Sequence, residues 1–335
     1  MNALVLKSPG YAFLESIPAP ERSDEDILLK VRMVGFCGSD LNSFRGLNPL
    51  VSYPRILGHE VCATVIESNS NAFSAGTDVA LNPYTSCGKC ASCRRGRPNS
   101  CQFNQTLGVQ RDGALKELIA MPQNKLYPAK LTPKELCLVE PLTVGFHAIA
   151  RGRVTADDTV AIFGCGGVGL GAIAASSSRR ATTICIDVDD EKLELARAAG
   201  ATHTINTSHE RLHDRLLNVT DGRGPDVVIE AVGTAATFRA AVEEVAFTGR
   251  VVYIGYAKEP VSYETKLFVQ KELDVLGSRN ALPDDFHSVI SFLEARKFPV
   301  ERVVSLVVPL QEAANALRSW SENPPRFTKI LVCLD

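Results

Sequence analysis

Over the first ~130 residues, apolar and polar side chains alternate in short runs broken by Gly, Pro, Asn and Asp, as in Ile27-Leu28-Leu29-Lys30-Val31-Arg32-Met33-Val34 and Glu60-Val61-Cys62-Ala63-Thr64-Val65-Ile66. That rhythm predicts short strands and a partly open β-barrel. From about Thr159 the pattern becomes one of continuously apolar runs, Thr159 to Phe163, Thr183 to Asp187, His203 to Asn206, Asp226 to Glu230, Arg250 to Ile254 and Asp274 to Gly277. Between them lie amphipathic helical stretches such as Glu191 to Ala199, stopped by Gly200. Six buried strands alternating with helices predict a doubly wound parallel sheet, so the fold class is α/β. The last ~50 residues carry a helical pattern around Asp284 to Arg296 and a final strand from Lys329 to Val332, too little to fold alone, and are expected to return to the first domain. The expected division is 1–148 for the barrel, with a cysteine loop at 84–104, then 149–283 for the parallel sheet and 284–335 for the returning segment.

Length agrees with two modules: 335 residues exceed what one core usually supports. Lys plus Arg number 36 against 38 for Asp plus Glu, a formal charge of -2 that gives no reason to expect nucleic acid or a membrane as partner, so a small-molecule substrate is expected. No apolar run approaches the roughly 20 residues of a bilayer span, and Met1 to Lys7 enters a strand pattern instead of a signal peptide. The expected compartment is the cytoplasm.

Chemistry first enters at Gly164-Cys165-Gly166-Gly167-Val168-Gly169, between an apolar strand and the small-residue helix that starts at Leu170. This is the dinucleotide fingerprint in its required setting: Gly164 for the tight turn, Gly166 for approach of backbone N–H groups to a pyrophosphate, Gly169 for close helix packing. The second strand ends in Asp187, about 20 residues on, where a carboxylate can accept from the adenosine ribose and would repel a 2′-phosphate. NAD is therefore expected over NADP. Gly167, Val168, Lys192, Ile254 and Gly255 complete the expected cofactor contacts, although Lys192 serves equally well as a solvated helix charge.

Ten cysteines in such a chain argue for metal binding or burial over disulfides. Four cluster as Cys87-x2-Cys90-x2-Cys93-x7-Cys101, a set that satisfies the closed tetrahedral geometry of a structural zinc; an iron–sulfur cluster is the main rival. A catalytic zinc needs fewer protein ligands, and Cys37 in Gly35-Phe36-Cys37-Gly38-Ser39-Asp40, His59 and Glu60 in Gly58-His59-Glu60, and Glu140 in Glu140-Pro141-Leu142 are candidates that singly also read as ordinary core or surface residues.

The order Cys-Gly-Ser-Asp, Gly-His-Glu, four-cysteine loop and glycine fingerprint resembles the medium-chain, zinc-dependent alcohol dehydrogenase family over nearly the whole chain, and Glu140-Pro141-Leu142 is similar to its sorbitol and polyol branch. The resemblance implies a GroES-like catalytic barrel beside a Rossmann domain, and two zincs per chain. Cys37 and His59 would hold the catalytic zinc, with Glu60 and Glu140 completing it directly or through water. It implies that zinc acidifies a substrate hydroxyl whose hydride passes to NAD, with Ser39 handing the proton outward. Many relatives end that relay in a histidine at the position of Asn42, and Asn cannot titrate.

Tyr53 to Glu60 and Gly277 to Ala281 resemble enzymes that oxidise the 5-hydroxyl of six-carbon aldonic acids, such as L-gulonate and L-galactonate dehydrogenases. Arg279, and secondarily Arg111, could hold such a carboxylate, interdomain or surface pairing being the plainer role. Sorbitol, galactitol or threonine-type activity is the alternative within the family. The rivals from other classes are a zinc-free quinone reductase-like member of the same superfamily and a non-enzymatic NAD-binding regulator on the same scaffold. A homodimer or homotetramer is the assembly the resemblance implies.

Overall fold

The computed structural model describes residues 1–335 and divides into two compact units, one of 1–141, 282–294 and 300–335, the other of 142–281 and 295–299.

In the first unit a seven-stranded sheet runs in the order Val304–Pro309, Lys329–Cys333, Asp26–Gly35, Glu60–Glu67, Asp78–Leu81, Leu126–Pro128, with Leu118–Pro122 also paired to Asp26–Gly35. All neighbours are antiparallel except Val304–Pro309 beside Lys329–Cys333. The alternation seen in sequence becomes burial: Ile27, Leu29 and Val31 are buried while Leu28 and Lys30 between them are not. Their core joins Leu4, Leu6, Phe36, Leu57, Val61, Leu115 and, from the end of the chain, Ile330 and Val332. A small sheet of Tyr11–Ser16, Asn2–Ser8 and Arg55–Ile56 packs its own apolar positions into the same core.

The second unit is a six-stranded, all-parallel sheet in the order His203–Asn206, Thr182–Asp187, Thr159–Phe163, Val227–Glu230, Arg250–Tyr253, Asp274–Gly277. This is the doubly wound order, with its reversal between the Thr159 and Val227 strands. The Thr159–Phe163, His203–Asn206 and Asp274–Gly277 strands have the expected bounds, and each of the others differs by one residue at one end. Helix Asp190–Ala198 follows its capping signal, since the Asp189 carboxylate accepts from the N–H groups of Glu191 at 2.9 Å and Lys192 at 3.3 Å.

One long element was not anticipated: Pro133–Arg151 is a single helix with Pro141 inside it. Glu140 and Pro141 therefore stand on a helix, and the change of unit falls at 141/142 inside it, seven residues before the expected boundary at 148.

Candidate active site and metal centres

The four-cysteine loop gathers as its spacing requires. The sulfurs of Cys87, Cys90, Cys93 and Cys101 all lie within 4.8 Å of one another, with Cys90 Sγ 3.5 Å from Cys93 Sγ and 3.8 Å from Cys101 Sγ. Backbone N–H groups of Cys87 and Phe103 point at Cys101 Sγ, and that of Cys90 at Cys87 Sγ, each at 3.3 Å. Such donors favour thiolates. Cys90 is drawn down to about 5 by the Ser92 hydroxyl and then by backbone N–H groups, whereas desolvation and its crowded neighbours push Cys93 up to about 11. Four sulfurs this close cannot all ionise without a cation, and a divalent ion with four thiolate ligands fits the set.

A second cluster is built on two neighbouring strands of the same unit, with the Lys329–Cys333 strand next to the first of them. Cys37 N-caps the short helix Gly38–Phe44 directly after the Asp26–Gly35 strand, His59 precedes the Glu60–Glu67 strand, and Glu60 opens it; their ligand atoms lie within 4.8 Å of one another. Asp40, 1% exposed, ties the pieces together: one carboxylate oxygen accepts from Cys37 N–H at 2.8 Å, the other from Gly58 N–H at 3.2 Å. The latter oxygen stands 3.9 Å from His59 Nδ1. His59 is buried, its Nδ1 makes no hydrogen bond, and the ring neighbours the Cys37 thiol. Burial alone would lower the imidazole pKa, but the Asp40 carboxylate and then the Cys37 thiol outweigh it and hold it well above the usual value. A buried imidazole backed by a carboxylate and facing a thiol is a donor set suited to zinc.

Glu60 carries a partner that the sequence reading missed. It is cross-strand from Gly35, where a Cβ would overlap its carboxylate, so its side chain lies over the middle strand and reaches the next one. There Lys329 Nζ sits 2.6 Å from both carboxylate oxygens and 3.0 Å from the carbonyl of Phe36. Burial pushes the Glu60 pKa up to about 7 against the opposing charge of Lys329. The available signal was a lysine at the head of an otherwise apolar terminal strand, Lys329-Ile330-Leu331-Val332. Glu140, also buried, accepts a hydrogen bond from the buried hydroxyl of Tyr84, another residue not anticipated. It stands electrostatically within reach of His59 and Glu60 but outside the three-residue set.

Ser39 Oγ is buried without a hydrogen-bond partner, Asn42 is half-buried, and Arg111 donates at 3.4 Å to the Pro83 carbonyl while its Nε has no partner.

In the second unit Gly164, at φ +93°, turns the chain from the Thr159 strand into helix Gly167–Ser178, and a Cβ at Gly169 would overlap the Gly164 carbonyl oxygen. Asp187 meets this turn: one carboxylate oxygen accepts from Cys165 N–H and the other from Val188 N–H, both at 2.8 Å. Gly166 is exposed and Gly167 and Val168 half-buried at the helix N-terminus, where N–H groups remain for a phosphate. Lys192 is half-buried on the next helix, and the N–H groups of Ile254 and Gly255 donate to the Glu230 carbonyl at 2.9 and 3.1 Å. Arg279 is exposed just beyond the Asp274–Gly277 strand.

Residues 23–131 match the alcohol dehydrogenase GroES-like domain and residues 167–295 the zinc-binding dehydrogenase domain. A sorbitol dehydrogenase from Bacillus subtilis is 34% identical over 99% of this chain and 97% of its own length. The chain belongs to the zinc-type, medium-chain alcohol dehydrogenase family. An L-galactonate-5-dehydrogenase from Escherichia coli is 29% identical over 94% of this chain and 93% of its own. Among solved structures, the rspB alcohol dehydrogenase from Escherichia coli CFT073 in complex with NADH superimposes with a TM-score of 0.92 at 27% identity, over 100% of this chain and 99% of that one. The protein is a zinc-dependent oxidoreductase that uses a nicotinamide dinucleotide, with a GroES-like unit and a Rossmann unit. No helix is long and apolar enough to cross a membrane.

Proposed function

We propose that this dehydrogenase oxidises a secondary hydroxyl of a polyol or sugar acid with NAD, its substrate being the 5-hydroxyl of L-gulonate or L-galactonate. The observation that carries the reading is the Cys37–His59–Glu60 set, with its His and Glu buried and Glu140 within electrostatic reach, in a chain similar along its length to sorbitol and L-galactonate dehydrogenases. Cys37 and His59 would hold the catalytic zinc, with Glu140 or Glu60 completing it directly or through water. Cys87, Cys90, Cys93 and Cys101 would hold the second. Zinc there supplies Lewis acidity to a substrate hydroxyl, and NAD supplies the hydride acceptor.

The residues around them do the rest. Ser39, with its hydroxyl free of protein partners, accepts the substrate proton and passes it on. Asn42 does not titrate, so the proton leaves through water. Asp187 keeps lone pairs for the adenosine ribose after its two backbone bonds, and its charge disfavours a 2′-phosphate; Gly164, Gly166, Gly167, Val168 and Gly169 receive the pyrophosphate, with Lys192, Ile254 and Gly255 along the cofactor. Arg279 is assigned the carboxylate of an aldonic acid. Ten unpaired cysteines suit the reducing cytoplasm, and the exposed edge strand Asp274–Gly277, with Val275 46% exposed, supports a homodimer or homotetramer.

The test is a screen of L-gulonate, L-galactonate, sorbitol, galactitol and L-threonine with NAD and NADP on zinc-loaded protein, with the position of the new carbonyl read by NMR. Ketone at C5 of an aldonate is expected. Turnover of neutral polyols only would move the assignment to the sorbitol type, and NADH binding with no turnover of any substrate would favour a regulatory NAD-binding protein.

A further inference from the structure

Glu230 ends the central Val227–Glu230 strand, is 0% exposed, and pairs with no cation. One carboxylate oxygen takes three donors: Val232 N–H at 3.0 Å, Gly233 N–H at 2.8 Å and the Thr237 hydroxyl at 2.7 Å. The other has no partner and abuts Gly255, where a Cβ would overlap it. Its backbone carbonyl accepts from Ile254 and Gly255. A buried carboxylate is costly to keep unless it does something with its bonds.

Two of the three donors belong to one loop and the third, Thr237, to the first turn of the helix that follows it. Residues 231–234 leave the strand that faces the glycine turn across the sheet's reversal point: Ala231 N–H donates to Phe163 O at 3.0 Å, and the Val232 side chain leaves no room for a Cβ at Gly164. Gly233, at φ +86°, packs its α-carbon against the backbone of Tyr256, and Thr234 with Thr237 caps helix Ala235–Glu244. Loops 231–234 and 254–256 are thus a second wall of the crevice opposite the glycine fingerprint, and Glu230 is the group bonded to both. In a doubly wound sheet each half receives one mononucleotide, and the half that carries Asp187 takes the adenosine side.

We infer that Glu230 is a positioning residue for the nicotinamide half of the dinucleotide: it sets loops 231–234 and 254–256 in their binding conformation before the cofactor arrives. A preset loop binds more tightly because the cofactor need not order it.

The test compares NADH and AMP binding by calorimetry to wild-type, Glu230→Met, Glu230→Gln and Thr237→Val proteins, with zinc content and thermal melting measured alongside. For Glu230→Met the NADH Kd is expected to rise about 10–100-fold, the equivalent of two or three lost hydrogen bonds, with AMP affinity changed less than about twofold. Glu230→Gln keeps an acceptor oxygen and is expected to stay within about fivefold of wild type for NADH. Should Glu230→Met fail to fold, Thr237→Val decides: a rise of about 3–10-fold for NADH but not AMP supports the inference, and an unchanged NADH Kd overturns it. Equal weakening of NADH and AMP, or unchanged NADH affinity with a lowered melting temperature, shows a scaffold role and overturns it. Failure of wild-type protein to bind NADH at all would instead strike the cofactor assignment.

Discussion

Replacing Lys329 by Met probes the charge balance on which the catalytic unit rests. Lys329 and Glu60 are 5% and 0% exposed, and Nζ lies 2.6 Å from both carboxylate oxygens. Removing one member of such a buried pair strands the other, at a cost of about 3–5 kcal/mol. Glu60 makes that cost depend on pH. Burial has already raised its pKa to about 7 in the presence of Lys329, and without the ammonium it rises further. A carboxyl with a raised folded pKa contributes stability that is fully present below its unfolded pKa and is lost as pH climbs through the folded one. The wild type therefore loses about 3 kcal/mol from Glu60 as pH climbs from the ordinary carboxylate range to about 7, and Lys329 limits the loss by pairing with the ionised form. At pH 6 Glu60 is mostly protonated in either protein, and Lys329→Met is expected to be as stable as wild type. At pH 8.5 the variant should be about 2 kcal/mol less stable, and adding Glu60→Gln should restore most of it. Urea unfolding of protein without metal in the Cys37–His59–Glu60 set, at the two pH values, measures this. An equal loss at both, unrepaired by Glu60→Gln, would show that Lys329 acts by packing and refute the electrostatic account.

Other predictions concern the metals, the cofactor and the substrate. Cys90→Ser should leave one zinc per chain and lower the melting temperature, while Cys37→Ala should also leave one zinc but abolish turnover with melting nearly unchanged; atomic absorption with calorimetry distinguishes them, and full activity in both would sink the two-zinc reading. Asp187→Ala should raise the NADP-to-NAD ratio of kcat/KM by about 10–100-fold, and because Asp187 also fixes Cys165 N–H, NAD affinity itself should fall about tenfold. Arg279→Gln should raise KM for an aldonate about 10–100-fold and leave sorbitol kinetics within about twofold; equal effects on both would remove Arg279 from substrate recognition.

What was legible in the chain follows a physical rule. Elements whose signal is local were readable: the six parallel strands from their apolar runs, the glycine turn from closely spaced glycines directly after an apolar strand, and the cysteine loop from ligands close in sequence. The Pro133–Arg151 helix was missed because Pro141 interrupts its pattern, although a proline inside a helix removes one hydrogen bond without ending an element whose other bonds are buried. Lys329 and Tyr84 were missed for a different reason. Each contacts its carboxylate through pairing of distant segments, 269 residues apart for Lys329 and Glu60 and 56 for Tyr84 and Glu140, and nothing in local periodicity encodes such a meeting. Glu230 lies between these cases, since its position at the end of a predicted strand was plain but its three donors were not.

The partners missed in sequence explain how several acids share one buried centre. Cys37, Glu60 and Glu140 all lie near His59, and a divalent ion bound there would be neutralised by two of their negative charges. A third would overcompensate it and weaken its hold on a substrate hydroxyl. Lys329 removes that excess, because its ammonium cancels Glu60 at 2.6 Å while the Phe36 carbonyl beside Cys37 fixes its position. Tyr84 acts differently on Glu140: its hydroxyl donates to the carboxylate and brings no charge. The two carboxylates that sequence alone leaves interchangeable are thus distinguished by their partners, an ammonium for Glu60 and a hydroxyl for Glu140.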